Sequence, residues 1–207
     1  MNRGLFITFE GIDGCGKTTQ IELLREFLDS KGIANTVIRE PGGTEVGEKI
    51  RQLLLDKKNS DMTSLTELLL FEAARAQIVE EKIKPALDDG ICVICDRFYD
   101  SSLAYQGVAR GMGTDIVKML NNVAVAGVDP DITFFLDISV EEAIARRKSR
   151  GDESDRIESA GDSFIEKVRQ GYLYAALYDS NRIRTIDATG SVDSISSQII
   201  SIISERL

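Results

Sequence analysis

The sequence predicts a single α/β domain, a parallel five-stranded sheet covered by helices on both faces. Three observations carry that expectation. Runs that read as strands alternate with runs that read as amphipathic helices along the whole chain, the pattern of crossover-connected parallel strands. The first strand passes straight into a glycine-rich loop and then a helix, the order in which a phosphate-binding loop is built. And 207 residues, with no linker, internal repeat or low-complexity segment, suit one domain that buries well over half of its unfolded surface.

In order, residues 5–10 (LFITFE) form a short apolar, β-favouring run that stops at Gly11. The segment Gly11, Ile12, Asp13, Gly14, Cys15, Gly16, Lys17, Thr18 then fits G-x-x-x-x-G-K-[ST]. Small residues let backbone N–H groups close around phosphate oxygens, Lys17 brings a point charge to the terminal phosphates, and Thr18 can ligate Mg²⁺. From Thr18 the spacing of Ile21, Leu24 and Leu28 predicts a helix, so the loop sits where a helix N-terminus favours anions. Lys31 and Gly32 close that helix. Residues 35–40 (NTVIRE) read as a second strand ending at Pro41-Gly42-Gly43, and 44–56 as a helix with Val46, Ile50, Leu53 and Leu54 on one face. After a polar loop at 57–63, Ser64 and Glu67 predict a capping box for a helix running to about 83, with Pro85 kinking or restarting it before Gly90.

The third strand is 91–95, leading into Asp96-Arg97. A polar, aromatic loop and short helix follow through Gly113, and Thr114 caps a helix ending at Gly127. Residues 131–136 (DITFFL) form the fourth strand, and Ser139 with Glu142 caps the next helix. The charged, Gly/Ser-containing run at 146–162 is a candidate lid. A helix at 164–178, a strand at 184–187 and an amphipathic helix carrying Val192, Ile195, Ile199 and Ile202 finish the chain.

Composition narrows the chemistry. Lysine plus arginine number 25 against 34 acids, a net charge of −9 and a pI of about 4.7, which argue against nucleic acid or an anionic membrane as partner. The N-terminal apolar stretch is too short and ends too acidic for a signal peptide, and no run approaches a membrane span, so a cytoplasmic protein is expected. Three cysteines do not make a disulfide framework. Cys92 and Cys95 are three apart in a strand-like run and should point to opposite faces; with no histidine anywhere, zinc or dithiol chemistry is not expected. Cys15, at a helix N-terminus, is expected to be modestly reactive. The missing histidine also removes Ser-His and Cys-His catalysis, leaving positioning and electrostatics.

Ligands of open parallel sheets sit at the carboxyl ends of the strands, and these ends carry Glu10 with the phosphate loop, Arg39-Glu40-Pro41, Asp96-Arg97 and Asp187-Ala188. Asp96, after a buried strand, is placed to hold Mg²⁺ directly or through water. Arg39 and Arg97 would face one cleft, and two guanidinium forks suit bidentate binding of one phosphate, so the acceptor should carry a phosphate of its own. Phe71 and Arg75 are four apart and share a helix face; an aromatic one turn from an arginine can stack a base and read its edge. The run 146–156 (RRKSRGDESDR) would close over a transferring group.

Over essentially its whole length the chain resembles thymidylate kinase in its bacterial form. The matching pieces are FEGIDGCGKTTQ, REPGGTEVGEKIRQLLLD, ELLLFEAARAQ, CDRFYDSSLAYQGVARG, PDITFFLD, RRKSRGDESDRIE and the terminal IDAT. The resemblance implies a nucleoside monophosphate kinase-like P-loop fold, MgATP as donor, dTMP as acceptor, dTDP and ADP as products, and a homodimer. By that resemblance Arg39 and Arg97 bind the dTMP phosphate, Phe71 stacks on thymine, and Arg75 and Gln106 read its edge. Ser102 and Tyr105 line the sugar and base pocket, Arg51 lies near it, and Asp13 near the deoxyribose 3′-hydroxyl. Some family members carry an arginine inside the phosphate loop. This chain has none there, so the lid supplies the candidates, Arg150 and Arg156, with Arg146 beside the adenine and Lys17 between the phosphates. A peptide bond at Glu40-Pro41 in the cis form would be unsurprising.

Other readings are weaker. A deoxynucleoside kinase would need a base at the acceptor and would leave the Arg39/Arg97 pair without a purpose, though another nucleoside monophosphate kinase stays open on the residues alone. A regulatory GTPase would need an Asn-Lys-x-Asp motif, which is absent. An idle nucleotide-binding protein would not need Lys17, Thr18, Asp96 and the lid together.

Overall fold

The computed structural model describes residues 3–151 and 155–207, without the side chains of Arg150 and Glu158. Among the described residues a five-stranded, all-parallel sheet has the order β2-β3-β1-β4-β5, with β1 Phe6–Glu10, β2 Asn35–Arg39, β3 Cys92–Asp96, β4 Ile132–Asp137 and β5 Ile183–Asp187. The expected strands are all present, each displaced by a residue or less at its ends. Central β1 is buried along its whole length. Its side chains alternate between two cores: Ile7 and Phe9 pack with Ile94 and Phe134 on one face, while Phe6 packs with Val93 and Phe98 on the other. Each such phenylalanine contributes roughly 2–3 kcal/mol of apolar burial. Cys92 and Cys95 fall in different cores, as the strand period requires.

The helices are α1 Lys17–Ser30, α2 Glu45–Leu55, α3 Ser64–Ile78, α4 Lys84–Asp88, α5 Tyr99–Ser102, α6 Thr114–Val125, α7 Val140–Arg150, α8 Asp162–Tyr178 and α9 Val192–Ser204. Two caps differ from expectation. The side chain of Thr63, not Ser64, accepts the N–H of Thr66 and caps α3, and Glu67 is buried rather than closing a capping box. Gly113, with φ 90°, precedes α6 in place of a side-chain cap from Thr114. The Pro85 break takes a specific form: a π-helical turn, Val79–Ile83, joins α3 to α4 and leaves Pro85 in the first turn of α4, where a missing N–H is tolerated. A second π-helical segment, Leu103–Ala109, extends α5. It packs closely against α8, where a Cβ on Gly171 would strike the backbone of Ala104. No described helix is long and apolar enough to cross a membrane.

Candidate active site

The loop after β1 wraps around the start of α1. Gly14 has φ 96° and its missing Cβ leaves room for the carbonyl of Ala143 at the root of the lid, so any side chain there would be both strained and obstructed. Lys17 is buried and folds back, its Nζ donating to the carbonyls of Gly11 (3.0 Å) and Ile12 (3.3 Å) and lying 3.6 Å from Asp13 Oδ1. A cavity of ≈ 420 Å³ opens beside the loop between Gly14, Cys15, Gly16, Arg146 and the turn at Gly190-Ser191. Arg146 donates to Glu142 Oε1 (2.6 Å) and to the carbonyl of Ala188 (3.0 Å), so the lid helix is tied to the end of β5 beside that cavity. The expected reactivity of Cys15 is overturned. Its thiol is 1% exposed, and burial pushes its pKa up despite Lys17.

Across the strand ends lies a second cavity of ≈ 210 Å³, lined by Asp13, Glu40, Pro41, Arg51, Leu55, Phe71, Arg97, Ser101, Ser102, Tyr105, Gln106, Asp155 and Ile157. Most residues expected around an acceptor are therefore brought to one wall. Arg97 follows β3 in the left-handed region, φ 69°, an unusual conformation for a residue with a large side chain. Its Nη2 donates to Asp13 Oδ1 (2.7 Å), its Nη1 to Tyr172 Oη (2.8 Å), and its guanidinium lies 5.5 Å from the centre of the Tyr105 ring. Burial disfavours the charge on Arg97, but Asp13 and the surrounding groups outweigh it and hold the pKa well above its ordinary value.

Arg39 pairs in register with Asp96. Its half-exposed guanidinium donates to Glu48 Oε1 (2.7 Å), which also accepts the N–H of Gly43 (2.6 Å), and these contacts, the Gly43 N–H foremost, hold Glu48 below the usual carboxylate range. Gly42, with φ 130°, gives Glu48 its place: a Cβ there would collide with its carboxylate. Arg51 donates to the carbonyl of Pro41 (3.0 Å); burial and then the charge of Arg39 pull its pKa down. Two cations held close enough to oppose each other make a position that an anion would relieve. The Glu40-Pro41 bond is cis.

Arg75 is not in the cavity wall but behind it. It is 1% exposed, and its donors go to Glu40 Oε2 (2.9 Å), Glu72 Oε1 (2.7 Å), Ser102 Oγ (3.0 Å), Asn121 Oδ1 (3.1 Å) and the carbonyl of Phe98 (3.3 Å). The helical spacing placed it correctly one turn from Phe71; what spacing could not show is that Glu40 and Glu72 converge on it. Burial lowers and the two carboxylates raise its pKa, the carboxylates prevailing. Burial pushes Glu40 up to about 7 against the pull of Arg75, with Glu72 adding to the rise. Gln106, also fully buried, lines the cavity while its amide donates to Glu67 Oε1 (2.9 Å).

Asp96 leaves Oδ1 buried without a hydrogen-bond partner. Thr18 is exposed at the start of α1. Among the described residues no three His, Cys, Asp or Glu side chains cluster as a ready metal cage. In the lid, Arg156 is held by Glu67 Oε2 (2.7 Å) and the carbonyl of Leu54 (2.7 Å), while the side chain of Arg150 and residues 152–154 of the expected lid fall outside the described residues.

Three supporting residues were given no part in holding the site by sequence. Glu10 is fully buried and accepts from the N–H of Phe98 (2.7 Å), Ser101 Oγ (2.6 Å) and Tyr172 Oη (3.1 Å), so it steadies the groups that hold Arg97. Burial, and then the charge of Asp100, push it up to about 7 in spite of Arg97. A charged residue closing an otherwise apolar central strand was the available signal. Tyr172 on α8 carried none, since it looks like an ordinary helix residue, and the spacing of Glu67 on α3 pointed only to a helix cap.

A family model described as Thymidylate kinase matches residues 9–199. Curated relatives named "Thymidylate kinase" include that of Caldanaerobacter subterraneus subsp. tengcongensis, 50% identical over 99% of this chain and 97% of its own length. Another from Thermosipho melanesiensis is 51% identical over 98% of this chain and 99% of its own. One from Thermoanaerobacter sp. is 48% identical over 99% of this chain and the whole of its own.

Proposed function

The chain belongs to the thymidylate kinase family, and from that premise we propose how its own residues phosphorylate dTMP to dTDP with ATP as donor, a step in dTTP synthesis. The observation that carries the residue assignment is Arg97, which lines the acceptor cavity and at the same time bonds Asp13 of the phosphate loop. A cation at that junction can hold the acceptor phosphate in line with the γ-phosphoryl group.

Donor phosphates would occupy the loop Gly11, Ile12, Asp13, Gly14, Cys15, Gly16, Lys17 and Thr18, with Lys17 turning from the loop carbonyls to the phosphates and Arg146 beside the adenine. Arg39, Arg51 and Arg97 would bind the acceptor phosphate, Phe71 would stack on thymine, and Gln106, Ser102 and Tyr105 would bound the nucleoside. Asp13 would face the deoxyribose. Arg75 would set Ser102 and Glu40 rather than touch the base. Mg²⁺ fits the unpartnered Oδ1 of Asp96, together with Thr18, since this ion is commonly held by one or two carboxylates plus substrate phosphates. When bound it would neutralise charge on the donor phosphates. The acceptor oxygen is already anionic near neutral pH, so these residues need no general base, in keeping with a chain without histidine. The lid would supply the arginine that stabilises the transition state, with Arg150 and Arg156 the two candidates.

A homodimer is supported by apolar side chains exposed on neighbouring helices: Val46 and Leu53 of α2, Leu65 and Leu69 of α3, and Met119 and Val123 of α6. We place the reaction in the cytoplasm, where ATP and dTMP meet.

The test is ADP release from MgATP with dTMP, dUMP, dCMP, AMP and thymidine as acceptors. Preference for dTMP is expected. Turnover on thymidine but not dTMP would remove the arginine-bound phosphate from the mechanism. Sedimentation over a range of concentrations should return a dimer mass; a monomer throughout would remove the α2, α3, α6 interface.

A further inference from the structure

Glu67 is a buried carboxylate, 1% exposed, whose lone pairs are filled by three residues, two from the π-helical segment and its cap and one from the lid. Its Oε1 accepts from Gln106 Nε2 (2.9 Å) and Arg110 Nε (3.2 Å), and its Oε2 from Arg110 Nη2 (3.1 Å) and Arg156 Nη2 (2.7 Å). A carboxylate has about four acceptor positions, so this one is saturated. Burial alone would raise its pKa; the bonds from Arg110, Gln106 and Arg156 prevail and hold it below the usual range.

The third of these partners belongs to the lid. Arg156 also donates through Nε to the carbonyl of Leu54 (2.7 Å), and its own N–H reaches the carbonyl of Leu55 (3.3 Å). Both carbonyls lie in the last turn of α2, where they lack helical partners and form the negative end of the helix. Its neighbours Asp155 and Ile157 line the acceptor cavity, as does Gln106.

We propose that Glu67 is a positioning residue for the reaction, a latch that fastens the lid through Arg156 onto the acceptor-side wall and ties lid closure to Gln106 in the base pocket. The proposal rests on the assignment of the ≈ 210 Å³ cavity to the acceptor. The latch is releasable for a physical reason. Arg110 remains bidentate on Glu67 when Arg156 leaves, so opening the lid does not strand a buried charge, which would otherwise be strongly unfavourable. One carboxylate thus registers both the base-pocket amide and the lid, and a ligand that pulls Gln106 into better alignment would strengthen the seat of Arg156.

The test is a double-mutant cycle with Glu67→Gln and Arg156→Met, the latter keeping most of the aliphatic stem and leaving the core untouched. Each single variant is expected to raise the dTMP KM about 10-fold with a smaller change in kcat, and the double variant is expected to be no worse than the weaker single one. A fall in kcat of about 10³-fold at unchanged dTMP KM in Arg156→Met would instead make it the transition-state arginine, and multiplying losses in the double variant would also overturn the latch. Tryptic cleavage after Arg147 and Lys148 in the substrate-free protein reads the latch without any acceptor. It should accelerate about 10-fold in both variants; unchanged cleavage in Arg156→Met sinks the proposal. If wild-type protein ignores dTMP while cleavage behaves as expected, the acceptor assignment fails and the latch stands.

Discussion

The phosphate loop is shaped by backbone within eight consecutive residues, whereas the acceptor wall is shaped by side chains delivered from the segments that follow β1, β2 and β3, from α2, α3, α5 and its π-helical extension, and from the lid. On the donor side the conformation lives in positive-φ glycines and a helix start, and Lys17 is the main charged side chain involved. On the acceptor side charges come in pairs: Arg97 with the part-exposed Asp13 in the wall and, packed against or behind it, Arg75 with Glu40 and Glu72 and Arg156 and Arg110 with Glu67. A site made of backbone tolerates change in its neighbours. A site made of paired charges transmits it, because removing one member leaves the other desolvated.

That contrast can be broken or sharpened by substitutions on either side. Arg75→Leu should have the largest effect, destabilising the fold by about 3–5 kcal/mol because Glu40 and Glu72 lose their shared cation; chemical denaturation measures this, and a loss under about 1 kcal/mol would return Arg75 to the role of a dispensable ligand. Lys17→Ala should lower kcat by about 10²- to 10³-fold with little change in melting temperature or dTMP KM, as expected of a charge needed only by the transferring group. Unaltered turnover would remove the loop lysine from the chemistry.

Glu10→Gln tests the buried support by pH. The folded-state pKa of Glu10 lies near 7, above the ordinary 4.5. Its contribution is therefore present in full below about 4.5 and is lost as pH rises towards 7, since the unfolded chain gives up the proton first. The wild type should lose roughly 3 kcal/mol relative to Glu10→Gln between pH 4.5 and 8, seen as converging or crossing melting curves; parallel curves would contradict it. Arg39→Ala should be the mildest. Its ion pair with Glu48 is about half exposed, so stability should change by under about 1 kcal/mol while the dTMP KM rises about 10-fold.

The same contrast explains what the sequence made legible. The strand-loop-helix unit and the Asp96-Arg97 pair were readable because local period and a fixed spacing encode them. Gln106 was found only through resemblance to a family, whereas Phe71 was also marked by its helical spacing to Arg75, and both line the cavity. Helix spacing put Arg75 one turn from Phe71 but gives a direction and not a depth, and the structure seats it behind the cavity wall. Thr63 rather than Ser64 caps α3, a choice between adjacent hydroxyl residues that propensity scarcely separates, and Glu67 turns inward to Gln106, Arg110 and Arg156. Cys15 was judged on its helix terminus, and burial overrode it. The missed residues join partners 88 positions apart for Glu10 and Phe98, and 162 for Glu10 and Tyr172, separations at which local pattern carries no information.

The strand order β2-β3-β1 has a metric consequence. Strands in a sheet lie about 4.8 Å apart, so the end of β2, with Arg39, stands about 10 Å from the end of β1, with the phosphate loop. Strand β3 fills the interval, and Arg97 leaves it midway. On the roles proposed above, the sheet acts as a fixed gauge between the two anions: hydrogen-bonded backbone sets their separation, and side chains only trim it. A nucleotide whose phosphates do not fit that span would have to deform the most buried part of the molecule to react.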